Sequence, residues 1–485
     1  MLAATGAHAA GFEQLAGLRA QGAEVSALAV DLDNGRTLAS LSPQTRLTPA
    51  SLTKLVTAAA ALDHWAADQT FPTRLLTSGR IVGDRLDGDL VLQGDGNATL
   101  DDQGLWTLAA QLAGTGVRQI HGRLLVVPAP FGPVPCETED RCKATTRSDS
   151  AYDAPLSSIG VDFGAWCLDV RPTAPGQPAA VRGCAVTKLP LPVVGEIRTV
   201  APRARQTFWL ERVTAADGDT IRVGGDIPGG RPVRMFRAMS DPARGAALLL
   251  QEILRETGIT LSGGVAVAPP LVANATRTLA SFDGMPLREQ LGRMLRYSNN
   301  YIADVLTLDL AAATLHPAPA QLAQAGQALS SFVAYTRRGG RDPPLPSLYS
   351  GSGLTPESQM SADDLVDLLR HEYLDTRDFP VFYGSLVVPR QAPFAFLRRG
   401  SRAWLDRVAL KTGTMDDPRS VFGIAGYLRK QDSGWAAFAI LVNGSDRRKH
   451  IPLYRALAAA RADVESLLAG REPATAGLSR CTTAC

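Results

Sequence analysis

LTPASLTKLVTAAAALDHW, residues 47–65, sets a serine and a lysine three positions apart at the start of an Ala- and Leu-rich run. Thr48 is a good N-cap and Pro49 suits the first helical position, so the stretch reads as a helix to Trp65. Ser51 and Lys54 then share one face in its first turn. Lysine is scarce in this chain: only Lys54, Lys143, Lys188, Lys411, Lys430 and Lys449 stand among 50 Lys and Arg. Guanidinium keeps its proton at any useful pH, whereas an ammonium can be made to release it. A lysine placed where arginine is the rule is therefore a candidate base.

At 485 residues the chain is long enough for about three domains. Its charge is nearly balanced at +3, and no dense basic run with interleaved aromatics appears, which argues against nucleic acid as a partner. No apolar run approaches the roughly 18 residues of a membrane span. The start, MLAATGAHAAGFEQLAG, lacks the basic and apolar regions of a signal peptide, as a mature form supplied with a start Met also would. The six cysteines fall in local couples: Cys136 with Cys142, Cys167 with Cys184, Cys481 with Cys485. These spacings suggest disulfides made in an oxidising compartment. Free thiols or a zinc site are the alternatives; zinc is the weaker, since there is no C-x-x-C and no accompanying histidine pair.

Outward from the opening stretch, EVSALAVDLDNGRTLASLSP alternates around Asp33-Asn34-Gly35, a hairpin signal. Residues 70–275 change texture to short apolar runs between Gly, Pro and Asp, and read as mostly β. Within them GDLVLQGDGNATL (88–100) lacks the phosphate-loop pattern and is expected to be a turn between strands. LREQLGRMLRYSNNYIADVLTLDLAAATL (287–315) reads as two helices broken at Tyr-Ser-Asn-Asn, and SADDLVDLLRHEYL as a helix capped by Ser361. VALKTGT, RSVFGIAGYLRK and GWAAFAILVNG follow as strands, and IPLYRALAAARADVESLLAG as an amphipathic closing helix. Strands at both ends of the chain predict one catalytic domain from residues 1–69 and 276–485. The interruption divides into a β-rich domain from 70–95 and 190–275, with a second domain, 96–189, nested inside it.

Three short motifs stand in order: Ser51-Leu-Thr-Lys54, Ser298-Asn299-Asn300 and Lys411-Thr412-Gly413. S-x-x-K alone is weak, and K-T-G on a strand is stronger. Together they resemble the penicillin-recognising serine enzymes, the penicillin-binding proteins and class A β-lactamases. The long interval after Ser51 is similar to the class C low-molecular-mass penicillin-binding proteins, the D-alanyl-D-alanine carboxypeptidase/endopeptidases of peptidase family S13. GDLVLQGDGNATL and YSGSGLT (349–355) extend the resemblance over nearly the whole chain. One departure is Ser350, where the family usually has Asp before Gly-Ser-Gly-Leu, which puts that loop's hydrogen bonding in question. The resemblance implies an α+β fold: an antiparallel sheet with packed helices and a helical cluster, carrying the large insertion after the nucleophile helix.

The chemistry fits. A serine hydroxyl needs a base within hydrogen-bond reach, and no G-x-S-x-G or obvious histidine triad offers one. Lys54 can serve if desolvated and faced by a second cation, for which Lys411 is the natural choice. The resemblance assigns the oxyanion donors to the backbone N–H groups of Ser51 and Thr414. It also implies that Ser298 relays a proton, that Asn300 holds substrate or lysine, and that Gly413 lets substrate run along the strand as an added edge. Thr412 and Thr414, backed by Lys411, suit a terminal carboxylate. The implied substrates are peptidoglycan stem peptides ending in D-Ala-D-Ala and D-amino-acid cross-links, with β-lactam antibiotics as covalent inhibitors. No cofactor or metal is expected. The expected location is periplasmic or otherwise extracytoplasmic, soluble or loosely membrane-associated. Asp416, Asp417 and Arg419 read as a solvated turn. The rival readings are a β-lactamase, which would want a deacylating glutamate not identifiable here, and a non-catalytic wall-binding protein, which should have lost Ser51, Lys54 or Lys411.

Overall fold

The computed structural model describes residues 11–184, 188–268, 277–316, 318, 321–337, 346–431, 434–445 and 450–469. Both ends of the chain enter one antiparallel sheet. The hairpin strands Ala23–Asp31 and Thr37–Leu41 flank a turn in which Gly35 takes φ 74°, the left-handed conformation that glycine adopts without penalty. Ala23–Asp31 pairs with Trp435–Gly444, which continues to Val421–Arg429 and then to Val408–Met415 at the sheet edge.

Alternation along these strands sorts side chains onto two faces. Val408, Leu410, Phe422, Ile424, Phe438 and Ile440 form a core with the helices Glu13–Ala20 and Leu453–Leu468. The opposite face carries Ala409, Ala425, Ala437 and Ala439, small enough to seat the helix Ala362–Leu374 closely, and the helices Thr53–His64 and Asn300–Thr314 complete the same core. Ser361 caps the last of these in a capping box with Asp364.

The long interruption leaves and rejoins this body at one point: the N–H groups of Leu287 and Arg288 donate to the carbonyls of Gln69 and Ala67 at 2.8 and 2.9 Å. Its first and last parts interleave in a sheet of Thr73–Thr77, Leu90–Asp95, Leu124–Ala129, Val265–Val267 and Arg277–Phe282. Two helices pack in that sheet's core, Asp102–Gly114 and Pro242–Glu256.

The mostly-β reading of 70–275 holds, strands far outnumbering helices there, but it leaves these two helices out. Each has a local start signal: Asp101 accepts from the Gly104 N–H, and Asp241 from the Arg244 N–H with proline following it. The stretch 88–100 is likewise no turn between strands. Leu90–Asp95 passes through an Asn97 turn into the helix at Asp102, then into the parallel strand Leu124–Ala129. Cys136–Cys142 and Cys167–Cys184 are disulfides, so those four thiols are not available to a metal; Cys481 and Cys485 lie outside the described residues. Among the described residues no helix is long and apolar enough to cross a membrane.

Candidate active site

Ser51 lies on a 3-10 turn, Ala50–Leu52, which runs into the helix Thr53–His64. Thr48 is not the N-cap its sequence suggests. Its hydroxyl donates to the Pro356 carbonyl at 3.0 Å and accepts from Arg419 at 2.8 Å. Arg419 therefore ties the turn after the Lys411 strand to the approach to Ser51, rather than standing in a solvated turn as expected. Ala50 takes φ 45°, and its carbonyl closes on Gly353 so tightly that a Cβ there would sit 1.9 Å from it.

The sheet reaches this turn because it is bare beneath it. A Cβ on Gly413 would lie 2.5 Å from the Pro49 carbonyl, and one on Gly423, its register partner, 2.7 Å from Leu52. The close approach at Gly413 is thus made by the serine-bearing turn itself. Along the other side of its strand, Leu410 exchanges backbone hydrogen bonds with Val387, and no strand continues that edge over residues 411–415 among the described residues. Thr414 is exposed there and Thr412 half-buried.

Lys54 is wholly buried, and its Nζ has three partners: Ser51 Oγ at 2.8 Å, Asn300 Oδ1 at 2.8 Å and the Ser352 carbonyl at 2.7 Å. An ammonium can donate to all three. A neutral amine has one fewer hydrogen, and of the three partners only the Ser51 hydroxyl can turn donor, so deprotonation aims the nitrogen lone pair at Ser51. Burial foremost pushes Lys54 down to about 7; the Asp304 carboxylate opposes this and Arg141 adds to it. Lys411, 1% exposed, donates to Ser298 Oγ at 2.9 Å and to the Thr412 carbonyl at 2.6 Å. Burial, and then the neighbouring Lys54, hold it well below the ordinary lysine range. Only one of the two amines touches Ser51.

The Ser-Asn-Asn break supplies the third wall. Ser298 ends the helix Leu287–Tyr297 in the left-handed conformation, φ 56°, and Asn299 caps the next helix by accepting from the Ile302 N–H. Asn300, first in that helix, reaches Lys54 with its carbonyl and donates its amide to the Tyr152 carbonyl at 2.9 Å. Ser350 answers the question raised by its departure from Asp, since its hydroxyl accepts from the Gly353 N–H at 3.1 Å and holds the loop that presents Ser352.

Ser51, Lys54, Ser298, Asn300 and Lys411, distant in sequence, thus meet as two neighbouring hydrogen-bonded groups, Lys54 with Ser51 and Asn300, and Lys411 with Ser298, coupled by the charges of the two amines. Ser352 lies within YSGSGLT, but its part is played by a backbone carbonyl, which no side-chain motif signals. Arg141, Asp304 and Tyr152 carry no local signal.

The profile of the D-Ala-D-Ala carboxypeptidase 3 (S13) family matches residues 13–463. A D-alanyl-D-alanine carboxypeptidase of Actinomadura sp. (strain R39) is 30% identical over 443 residues, covering 87% of this chain and 78% of the relative. The crystal structure of penicillin binding protein 4 (dacB) from Haemophilus influenzae superposes with a TM-score of 0.75 at 21% identity, covering 94% of this chain and 99% of that one. The same protein complexed with a novel β-lactam gives 0.68 at 22% identity, with the same coverage. The chain belongs to the D-Ala-D-Ala carboxypeptidase 3 (S13) family, and it is a hydrolase of that class.

Proposed function

We propose that Ser51 is the nucleophile and Lys54 its base in the hydrolysis of peptidoglycan stem peptides ending in D-Ala-D-Ala, and of D-amino-acid cross-links. The observation that carries this is a fully buried lysine, pushed down to about 7, whose Nζ lies 2.8 Å from a serine hydroxyl. The Ser51 Oγ–H proton passes to Lys54 as Oγ bonds the penultimate D-Ala carbonyl carbon. The oxyanion is held by the N–H groups of Ser51 and Thr414. Collapse breaks the C–N bond as Lys54 gives the proton it took from Ser51 to the departing amine, relayed by Ser298, whose hydroxyl is held by Lys411; Lys54 is then neutral again. Water then adds to the acyl-enzyme carbonyl, giving its proton to Lys54, and Ser51 leaves with the proton restored.

The open edge at 411–415 suits a substrate lying as an added strand, its carboxylate near Thr412, Gly413 and Thr414. β-Lactams would acylate the same serine. An extracytoplasmic location accords with the two disulfides and with the substrate. For the architecture 1–69 with 287–485 is favoured as the catalytic domain over a second part starting at 276, because Arg277–Phe282 pairs with Thr73–Thr77 in the insertion's sheet. Within the insertion, strands of 147–238 pair with one another, Ala165–Arg171 with Val233–Ala238 among them, which favours boundaries near 147 and 238 over those at 96 and 189.

Intact mass after benzylpenicillin tests the assignment: an adduct on the native chain and none on Ser51→Ala is expected. Penicillin consumed without an adduct would indicate a β-lactamase, and no reaction at all would refute the assignment.

A further inference from the structure

We propose that Arg141, in the insertion, and Asp304, on the helix Asn300–Thr314, are positioning residues for Lys54: they hold the Ser352 carbonyl against its amine and balance the charge around it. This rests on Lys54 being the base, as proposed above.

The chain of contacts is short. Arg141 Nη2 donates to Asp304 Oδ2 at 2.5 Å, with the two side chains 3% and 0% exposed. The other oxygen, Asp304 Oδ1, accepts from the Ser352 N–H at 2.7 Å, and the carbonyl of that same residue takes Lys54 Nζ. Asp304 stands one helical turn beyond Asn300, the other neutral acceptor of Lys54. Both fixed acceptors of the lysine are thus referenced to one helix.

Arg141 is itself fixed. It lies on the short helix Glu139–Ala144, whose Thr138 cap accepts from the Arg141 N–H, and the Cys136–Cys142 disulfide closes the loop around it. Its Nε and Nη1 are buried without hydrogen-bond partners, so the contact with Asp304 is what its burial secures. A lone buried carboxylate beside Lys54 would hold the proton on the amine, and the arginine offsets that carboxylate.

The charged groups around the amine are few. Lys54 is faced by Lys411 from the sheet, Asp304 from its helix and Arg141 from the insertion. Arg141 is faced in addition by Asp153, and it acts with Asp309 on Tyr301. Removing Arg141 should therefore strengthen proton retention on Lys54, and removing the Asp304 charge should weaken it.

The test is the second-order rate of acylation by benzylpenicillin against pH for the full chain and for Arg141→Met, Arg141→Lys and Asp304→Asn. Arg141→Met is expected to move the midpoint of the rising limb alkaline by about one unit, slowing acylation about tenfold on that limb while keeping the high-pH rate. Asp304→Asn, which can still accept from Ser352, should move the midpoint the opposite way. Arg141→Lys should stay near the native value. Midpoints that coincide while the native rate rises with pH overturn the proposal and leave Lys54 as the base, even if the plateau rates fall. A native rate flat with pH overturns the base assignment and this proposal with it. Should Arg141→Met not fold, the acid shift of Asp304→Asn decides alone.

Discussion

Replacing Lys54 by Met should abolish acylation, and it should also change how stability depends on pH. In the unfolded chain the amine titrates near its ordinary value, about 10.4, whereas in the fold burial brings it down to about 7. Between those values the unfolded chain binds the additional proton, so raising the pH favours the folded state. Raising the pH from 7 to 9 empties the folded amine while the unfolded one stays charged. At 1.36 kcal/mol per unit, and with the folded site half-titrated at pH 7, the native chain should gain about 2 kcal/mol over Lys54→Met. Lys411 adds in the same direction, because the variant relieves it of a like-charged neighbour. Scanning calorimetry of both proteins at pH 7 and 9 would read this as a change of about 2 °C in the difference between their melting temperatures, given the entropy of unfolding for a body this large. A difference that does not change with pH would show that Lys54 keeps its proton in the folded state. A lysine that stays an ammonium to pH 9 cannot be the base, whatever its distance from Ser51.

Two further outcomes test the framework of the site. Gly353→Ala would place a Cβ 1.9 Å from the Ala50 carbonyl at a backbone φ of 73°, and neither backbone can yield cheaply. It should lose about 3 kcal/mol of stability in thermal melts and give no penicillin adduct, because the Ser51 turn and the Ser352 loop shift together. Asp309 is fully buried with both oxygens unpartnered, and burial holds its carboxyl well above the ordinary range. A raised carboxyl loses stability as pH rises past its unfolded value near 4. The advantage of Asp309→Asn over the native chain should accordingly widen between pH 4 and 7, and a constant difference in thermal midpoints would refute the buried-acid reading.

The parts legible in sequence are those fixed by local physics or by short motifs. The Asp33-Asn34-Gly35 hairpin, the Ser361 cap and the three terminal strands follow from turn chemistry and periodicity. The helix Pro242–Glu256 is legible too, from Asp241, Pro242 and a regular apolar stripe, although the short β-like runs around it mask the signal. The Ser51 turn is a different case. Thr48 and Pro49 are a sound local start signal, but Arg419 and Pro356, more than 300 residues later, engage the Thr48 hydroxyl, and the helix begins only at Thr53. Arg141 is among many arginines on the chain, and nothing near it marks it as the one that meets Asp304, 163 residues away.

That last contact bears on what the insertion is for. The helix Asn300–Thr314 meets the insertion at its start: Asn300 donates to the Tyr152 carbonyl, the Tyr301 hydroxyl to the Ser157 carbonyl at 2.8 Å, and Asp304 accepts from Arg141. Two of these residues, Asn300 and Asp304, also lead to Lys54, one directly and one through Ser352. A body touching only the rim of a cleft could move without disturbing the acid–base chemistry inside it. Here movement of the loop 136–142 would shift Arg141, uncover the Asp304 charge and loosen the Ser352 carbonyl in one step. The Cys136–Cys142 disulfide therefore sits at the outer end of a line of contacts that ends on the Lys54 amine, and if Lys54 is the base proposed above, the insertion takes part in acylation as much as the K-T-G strand does.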